Sequence, residues 1–232
     1  MAVAFDAVSE SHTGTTGSTS VASFSWSHDP VGTPRGVLVY VLTVGPSSLA
    51  TSVTYGGTAL SAVSGGSASD TAGETGTVEA WFLGASVPTD DPATVVVNRT
   101  NNGSTVYAVA VTVTATADTE IAGTPVLLQE DGTYAEQNVN SGSSAALRFV
   151  GAFQGRNSVP PAGANTTDLG ASGQIDFGSF TYTTGRETTG GSGSRPVGYD
   201  DAVADDRAAV HLAIAQVAGA LSESIGMMTH YF

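Results

Sequence analysis

Short segments of strand-forming residues recur about every ten to fifteen positions along this chain, and Gly, Ser, Thr, Asn and Asp cluster between them. Residues 20–26 alternate cleanly, with Ala22, Phe24 and Trp26 on one face and serines between them. Such period-two alternation is typical of a strand with one buried face. Residues 37–44 are apolar on both faces, which indicates a central strand covered on both sides. Together these patterns predict an all-β chain.

A tight hairpin is predicted in the first quarter of the chain. Residues 52–55 and 58–63 read as two strands that flank the pair Gly56-Gly57. Glycine adopts positive φ at both positions without steric penalty, as a two-residue hairpin turn requires.

Further strands are predicted over residues 3–8, 77–83, 93–98, 106–114, 125–129, 146–153, 175–183 and 208–217. The last of these has a helical alternative, because residues 202–221 are rich in Ala, the best helix former. Val210, Leu212 and Ile214 nevertheless alternate with period two, so the strand is preferred.

So many strands predict a jelly-roll-like β-sandwich of two antiparallel sheets, since one immunoglobulin-like domain needs only about 100 residues. The sandwich is expected to span residues 1–217, followed by a docking tail over residues 218–232. Two β-sandwich domains divided near residues 118–124 are the alternative. Long loops rich in Gly, Ser and Thr are expected over residues 64–76, 154–173 and 184–196.

The composition excludes several classes of function. The chain has no Cys and no Lys, and its 7 basic residues against 21 acidic ones give a formal net charge of −14. Thiolate chemistry, a Schiff-base lysine and a P-loop lysine are therefore absent. The negative charge opposes binding to nucleic acids and to anionic membranes. With 12% charged residues, the surface is expected to be rich in hydroxyl groups and glycine.

No targeting or membrane segment is expected. The opening residues lack the basic start of a secretion signal, and Asp6 interrupts their apolar run. The longest apolar run, residues 37–42, is far too short to cross a bilayer. We therefore expect synthesis in the cytoplasm without a signal peptide.

Candidate catalytic and metal-binding residues form no recognisable pattern. The four histidines, at positions 12, 28, 211 and 230, show no ligand spacing, and a structural role is favoured for His211. Residues 200–206 hold four carboxylates that could contribute to a calcium site, but a solvated acidic loop is favoured. Residues 190–194 miss the nucleophile-elbow motif. We expect no catalytic residue, no metal site, no cofactor and no enzymatic activity.

The aromatic residues divide into core and surface candidates. Trp26, Trp81, Tyr55 and Tyr107 lie on or beside predicted strands, so core packing is expected of them. Three tyrosines nearer to predicted loops are better candidates for stacking on a saccharide: Tyr134, Tyr182 and Tyr199.

The tail is the most suggestive segment for binding a partner. It contains Met227, Met228, Tyr231 and Phe232 within its last six residues. Exposure of these side chains to water is unfavourable, so the tail is expected to dock on its own sandwich or on a neighbouring subunit.

One stretch carries a family resemblance. Residues 52–60 read Ser-Val-Thr-Tyr-Gly-Gly-Thr-Ala-Leu, and they precede Val-Glu-Ala-Trp-Phe-Leu at 78–83 and a Val-rich strand at 94–97. With the Trp26 strand and the closing strand at 208–217, this order resembles a jelly-roll domain of tailed-phage virion proteins and bacterial surface proteins. The motifs are structural and carry no catalytic residue.

The resemblance implies a structural virion protein, most specifically an outer capsid decoration protein of a tailed phage. It would lie on the outer surface of the particle as a homo-oligomer, and would bind the major capsid protein, other virion proteins or sister copies. The alternatives are a tail or fibre component and a carbohydrate-binding module or adhesin that holds a host glycan. A glycan-active enzyme is less favoured, because no pair of carboxylates stands out.

Overall fold

The computed structural model describes residues 3–11, 21–45, 50–70, 75–100, 105–129, 132–155, 159–169, 174–176 and 180–218. These residues form twenty β-strands and no helix. The predicted all-β, sandwich-like class is therefore confirmed. The described strands form three larger sheets and two two-stranded ribbons, rather than the two sheets expected from the sequence.

The first half of the chain, residues 3–115, builds two facing sheets. One, called here the outer sheet, has the order β2-β8-β4-β5, and the other, the first inner sheet, has the order β1-β9-β3-β7-β6. Because β8 lies between β2 and β4 while β7 lies between β3 and β6, the chain wraps in a jelly-roll-like manner. The strands are β1 (Ala4–Glu10), β2 (Ser23–His28), β3 (Gly36–Val44), β4 (Ala50–Tyr55), β5 (Thr58–Ala59), β6 (Ser61–Asp70), β7 (Gly76–Leu83), β8 (Ala93–Arg99) and β9 (Val106–Thr114).

The second half, residues 118–218, builds one large sheet and two ribbons. The second inner sheet has the order β10-β20-β14-β17-β15, with β11 also paired to β20 and β16 to β17. The ribbons are β12-β19 and β13-β18. The strands are β10 (Thr119–Ile121), β11 (Val126–Gln129), β12 (Gly132–Tyr134), β13 (Gln137–Asn140), β14 (Ala146–Gln154), β15 (Thr166–Asp168), β16 (Gln174–Asp176), β17 (Thr181–Glu187), β18 (Ser194–Val197), β19 (Asp201–Asp205) and β20 (Arg207–Gln216).

Three apolar clusters lie between these layers. The outer cluster fills the space between the outer sheet and the first inner sheet. The central cluster joins the two inner sheets, and the ribbon cluster lies between the second inner sheet and the ribbons. The stacking order is therefore outer sheet, first inner sheet, second inner sheet and ribbons. Each inner sheet is covered on both faces.

This layering explains the strands that are apolar on both faces. In β3, Val37, Val39 and Val41 enter the outer cluster, whereas Leu38 and Tyr40 enter the central cluster. The prediction that residues 37–44 form a doubly covered central strand is confirmed.

The two inner sheets approach closely at one point. The Tyr40 hydroxyl donates to the Val210 carbonyl at 3.3 Å. The Tyr40 ring also lies over Gly151, where a Cβ atom would come within 2.7 Å of the ring. Only glycine fits at position 151, since any side chain would push the sheets apart.

The predicted hairpin forms at residues 56 and 57. Gly56 and Gly57 have φ values of +53° and +81°, and they connect β4 directly to β5. Both angles lie in the region that a type I′ turn requires, and the pairing of Tyr55 with Thr58 is the register that such a two-residue turn produces.

The ambiguous alanine-rich segment is a strand. Arg207–Gln216 forms β20 and pairs with β14 along its length, which confirms the strand rather than the helix. Val210, Leu212 and Ile214 face the central cluster, and Ala209, Ala213 and Ala215 face the ribbon cluster. Both faces are buried, and apart from Ala208 and His211 the strand alternates between large and small apolar residues over positions 208–215.

Several predicted loops and boundaries are wrong. The single strand expected over residues 175–183 is a pair of antiparallel strands, β16 and β17. The loop expected over residues 64–76 contains most of β6, and the loop expected over 154–173 contains β15. The loop expected over 184–196 contains the end of β17 and most of β18. Polar ladder residues hid these strands, because their outward faces carry no apolar alternation.

No described strand up to Thr114 pairs with a described strand from Thr119 onward. The two halves therefore form separate hydrogen-bonded sheets, and the division falls close to residues 118–124. The central cluster nevertheless contains side chains of both halves. The single sandwich over 1–217 and the two-domain alternative both stay predictions.

Candidate functional site

An apolar groove opens at the edge where the two halves meet. Two adjoining cavities, of about 330 and 460 Å³, share Ser61, Phe82 and Ile121 as lining residues. We call this feature the seam groove. Its further lining residues are Ala62, Val63, Ser64, Leu83, Gly84, Ala85, Asp118, Thr119, Glu120, Gly123, Pro125 and Val217.

A bulge in an edge strand opens one wall of the seam groove. In the pairing of β6 with β7, Ala62 lies opposite Trp81, but the next pair is Ser67 with Glu79. Four residues of β6 therefore oppose a single residue of β7, and the strand lifts away from the sheet. Phe82, which pairs with Ser61 just before the bulge, is only partly buried.

The opposite wall is the short strand β10. Its Ile121 packs against the rim of the central cluster, as do Val63 and Phe82 across the groove. The seam groove is thus the place where the core between the two inner sheets reaches the surface. A ligand with apolar side chains would extend that core.

The charged residues of the seam groove lie in only one of its two cavities. Asp118 and Glu120 lie exposed at one end, and the 330 Å³ cavity is lined by uncharged residues alone. The Thr119 hydroxyl is already engaged, since it donates to the Arg35 carbonyl at 2.7 Å. Among these lining residues there is no histidine, and no pair of nucleophile and base is present.

A second surface feature is an uncharged face on the outer sheet. Ser25 of β2, Val96 of β8 and Thr54 of β4 lie side by side in one row, and Asn98 donates from Nδ2 to Ser52 at 2.9 Å in the next. The side chains opposite to them on the same strands enter the outer cluster. We call this the hydroxyl face, and its residues are Ser23, Ser25, Ser27, Ser52, Thr54, Thr94, Val96 and Asn98.

A chain of polar side chains crosses from the outer sheet to the first inner sheet. Ser9 accepts the indole N–H of Trp26 at 2.9 Å and donates to Nδ1 of His28 at 2.7 Å. Nε2 of His28 donates to Thr112 at 3.0 Å, and Thr112 donates to Asp6 at 2.9 Å. Because Thr112 donates its hydroxyl proton to a carboxylate, it must accept the bond from His28. The ring proton of His28 therefore lies on Nε2, and Nδ1 is the acceptor.

These side chains clamp β2 of the outer sheet to β1 and β9 of the first inner sheet. Burial lowers the pKa of His28, and the charges of Asp6 and Asp29 partly oppose the shift. Asp6 also accepts the backbone N–H of Gly32 at 2.7 Å. None of these side chains lines either cavity of the seam groove.

Two buried arginines hold the ribbons on the second inner sheet. Arg148 pairs with Glu187 at 2.9 Å, and it donates to the carbonyls of Val139 and Gly193 and to the Ser141 hydroxyl. These groups lie in or beside the β13-β18 ribbon, so one fully buried cation ties both of its strands to β14. Glu187 also pairs with Arg195 of β18.

The other ribbon has an equivalent anchor. Arg207 donates to the Asp201 carboxylate at 3.0 Å and to the Val203 carbonyl at 2.6 Å, both on β19. Its guanidinium carbon lies 5.6 Å from the centroid of the Tyr134 ring on β12. The backbone N–H of Arg207 donates to Asp70 of the first half, so this anchor also contacts β6.

The prediction of a solvated acidic loop over residues 200–206 is wrong. Asp201–Asp205 forms β19, and Asp201 is buried against Arg207 rather than solvated. Within the described ranges, no group of three or more His, Asp or Glu side chains could hold a metal ion.

The predicted structural histidine does have partners on both ring nitrogens. Nδ1 of His211 donates to the Val126 carbonyl at 3.1 Å, and the Tyr134 hydroxyl donates to Nε2 at 2.9 Å. Burial lowers the pKa of His211 to about 4, with a small opposing contribution from the bond to Val126.

The proposed saccharide-stacking tyrosines are all buried. Tyr134, Tyr182 and Tyr199 are at most 4% exposed, so none of them presents a ring face to a ligand. Their positions next to predicted loops were misleading, because Tyr134 and Tyr199 lie in the ribbon cluster and Tyr182 lies in the central cluster. Tyr55 and Tyr107 lie in the core as expected, and Trp26 and Trp81 pack half-buried against the outer cluster.

The predicted docking residues Met227, Met228, Tyr231 and Phe232 lie outside the described residues. The description ends at Ala218, and Val217, which immediately precedes it, lines the seam groove.

No protein-family model matches the chain, and no curated protein or solved structure is significantly similar to it. Across the part of the chain that the structure describes, there is no helix with the length and hydropathy needed to cross a membrane. Assignment of a function therefore depends on the chemistry of the two surface features.

Proposed function

We propose that the chain is a non-catalytic structural protein that binds other protein subunits, most specifically as an outer capsid decoration protein of a tailed phage. The observation that carries this proposal is the hydroxyl face, which is a sheet surface with no charged residue on a chain of net charge −14. The sequence resemblance to jelly-roll virion domains supplies the setting.

Electrostatics favours this face for contact. Copies of a strongly acidic chain repel one another, and the repulsion is least where the approaching surfaces carry no charge. Short hydroxyl side chains also lose little conformational entropy on contact, since they have few rotatable bonds. On a capsid lattice, many weak contacts of this kind add up through effective concentration.

The internal use of polar groups supports a structural role. His28, Arg148 and Arg207 form hydrogen bonds with other side chains of the same chain, which hold the layers of the fold together. Because Tyr134, Tyr182 and Tyr199 are buried, they do not support the saccharide-binding alternative.

The test begins with phage particles from the source culture. Particles are separated on a density gradient, and the protein is quantified by mass spectrometry against the major capsid protein. A high, fixed ratio supports capsid decoration, whereas a few copies per particle indicates a tail or fibre component. Absence from every particle band contradicts the virion proposal and makes a glycan screen the next step.

The role of the hydroxyl face is tested on the same particles. The double variant Ser25→Asp/Thr54→Asp adds two negative charges to this face, and Ser192→Asp adds one at an exposed site of the second half. Particles lacking the protein are mixed with each purified variant. We expect the double variant to lose binding and the control to keep it. Equal binding of both would exclude the hydroxyl face as the contact surface.

A further inference from the structure

From the geometry of the seam groove, we infer that it is a docking site for residues 219–232 of the same chain. This inference concerns the free subunit in solution and does not rest on the proposed function. Three observations lead to it: the point where the described chain ends, the chemistry of the groove and the composition of the segment that follows.

The described chain ends beside the groove, at Ala218. Val217 lines the larger cavity, and its backbone N–H donates to the Asp118 carbonyl at 2.8 Å. Residues 219–232 therefore start beside the wall that they would cover. Gly219 is the first of them, and glycine allows the chain to reverse direction at low cost.

The length of the segment is sufficient. The groove wall formed by residues 118–125 spans at most about 25 Å, since an extended chain covers roughly 3.3 Å per residue. The fourteen residues from 219 to 232 reach about 45 Å by the same measure. They can turn at Gly219 and run back along the whole groove to Pro125.

The composition of the segment matches the groove. Its six large apolar side chains are Leu221, Ile225, Met227, Met228, Tyr231 and Phe232. The groove offers Val63, Phe82 and Ile121, which already belong to the rim of the central cluster. Flexible methionines suit an irregular cavity, and their burial removes apolar surface of both partners from water.

Charge sets the direction of the segment. Residues 219–232 contain one acidic residue, Glu223, and no Arg or Lys. Asp118 and Glu120 lie at the end of the groove where the chain emerges, and the far cavity has an uncharged lining. The run 225–232, which contains no Asp, Glu, Arg or Lys, thus meets the cavity with the uncharged lining, while Glu223 can remain in solvent near the exit.

Docking within one chain is favoured over exchange between copies. A tether of a few residues gives an effective concentration in the millimolar range, far above that of a second molecule in dilute solution. Two copies of net charge −14 also repel each other.

The test is disulfide trapping in the full-length chain, which has no native cysteine. Ser61→Cys and Ser64→Cys place a thiol on the groove wall, and each is combined with Met228→Cys. The matched control combines Met228→Cys with Ser25→Cys, an exposed serine of the hydroxyl face. Dilute samples are oxidised, and the products are resolved on non-reducing gels and by peptide mass spectrometry.

We expect at least one groove pair to form an intramolecular disulfide about tenfold faster than the control pair, as an elevated local concentration requires. Equal rates in all three pairs, or no crosslink in any, overturn the inference. Crosslinks that form only between two chains overturn it as well, and would assign the groove to a neighbouring copy.

A measurement without substitutions gives an independent check. Peroxide oxidises exposed methionines faster than buried ones. We expect Met227 and Met228 to be oxidised at least roughly fivefold more slowly in the native chain than in the chain unfolded in urea. Equal rates in the two states contradict docking.

Discussion

The two halves of the molecule attach their outermost layers in different ways. In the first half, a continuous four-stranded sheet covers the first inner sheet, and the layer between them is dominated by Val53, Val95, Val97 and similar residues. In the second half, the covering layer consists of two separate ribbons whose strands have three to five residues each. Each ribbon is held by its own buried arginine, Arg148 or Arg207.

The difference follows from how much apolar surface each cover can bury. A four-stranded sheet presents enough inward side chains to hold itself in place, at about 25 cal/mol for each Å² removed from water. A short two-stranded ribbon does not, since isolated ribbons are marginal at best. Hydrogen bonds from a charged group, worth about 1.5–3 kcal/mol each, compensate for the missing area. The second half therefore depends on a few groups, and the first on many.

The strongest test of this contrast is removal of an anchor. Arg148→Met keeps much of the side-chain volume but deletes the cation between Glu187 and the ribbon carbonyls. Glu187 keeps its pair with Arg195, but the carbonyls of Val139 and Gly193 each lose a hydrogen bond from a charged donor, which together costs about 3–6 kcal/mol. We expect a loss of that size in the free energy of unfolding, measured by urea titration followed by circular dichroism.

The matched control is Arg35→Met, a substitution of the same type at an exposed arginine. It should change the unfolding free energy by less than about 0.5 kcal/mol. A loss below about 1 kcal/mol for Arg148→Met would mean that apolar packing alone holds the ribbon.

The pH dependence should also be concentrated in the second half. The native ring of His211 has a pKa of about 4 because of its burial, and the unfolded chain has about 6.5. Between these values the unfolded state binds more protons, so the stability is complete above pH 6.5 and falls as the pH drops towards 4. The loss from this residue is on the order of 3 kcal/mol.

The measurement is the free energy of unfolding at pH 7 and pH 5 for the native sequence, His211→Gln and His28→Gln. His211→Gln should flatten the dependence most, since the charges of Asp6 and Asp29 oppose the shift at His28. If the two variants flatten it equally, the proposed asymmetry between the halves is wrong.

The sequence predicted the first half better than the second, and the anchors explain why. Period-two alternation and the Gly56-Gly57 turn are local signals, and both appear in the structure. A ribbon strand such as Gln137–Asn140 is too short and too polar to show alternation. Its anchor Arg148 lies on another strand, and the carbonyl of Gly193 is 45 positions further along. No local pattern predicts such a contact.

The seam groove was hidden from the sequence for the same reason. Its lining residues come from distant parts of the chain: Ser61 and Phe82 lie on β6 and β7 of the first half, whereas Ile121 ends β10 and Val217 follows β20 in the second half. Only the bulge in β6 carries a local signal, the pair Gly65-Gly66 in a strand otherwise rich in Ser and Ala. By contrast, the docking tail was predicted from composition alone, and it stays a prediction.

In the first half, losses should be graded rather than concentrated in single groups. Val95→Ala removes two methyl groups from the centre of the outer cluster and should cost about 2 kcal/mol. The control is Val96→Ala on the hydroxyl face of the same strand, which should cost less than about 1 kcal/mol. Similar losses at both positions would show that the two faces of β8 contribute equally, against the layering described above.

The smallest expected effect tests the turn that sets the register of the outer sheet. Gly57 has a φ of +81°, and a Cβ atom there would meet no other atom within 4 Å. The cost of Gly57→Ala is therefore conformational strain alone, about 1 kcal/mol, because L-residues disfavour this region. Gly142→Ala in the second half is the matched comparison, since Gly142 has a φ of +64° and equally open space. Thermal unfolding should show equal small shifts for both variants. A much larger shift for Gly142→Ala would mean that the turn after β13 helps to position the groups around Arg148, and would place still more of the second half's stability in its anchors.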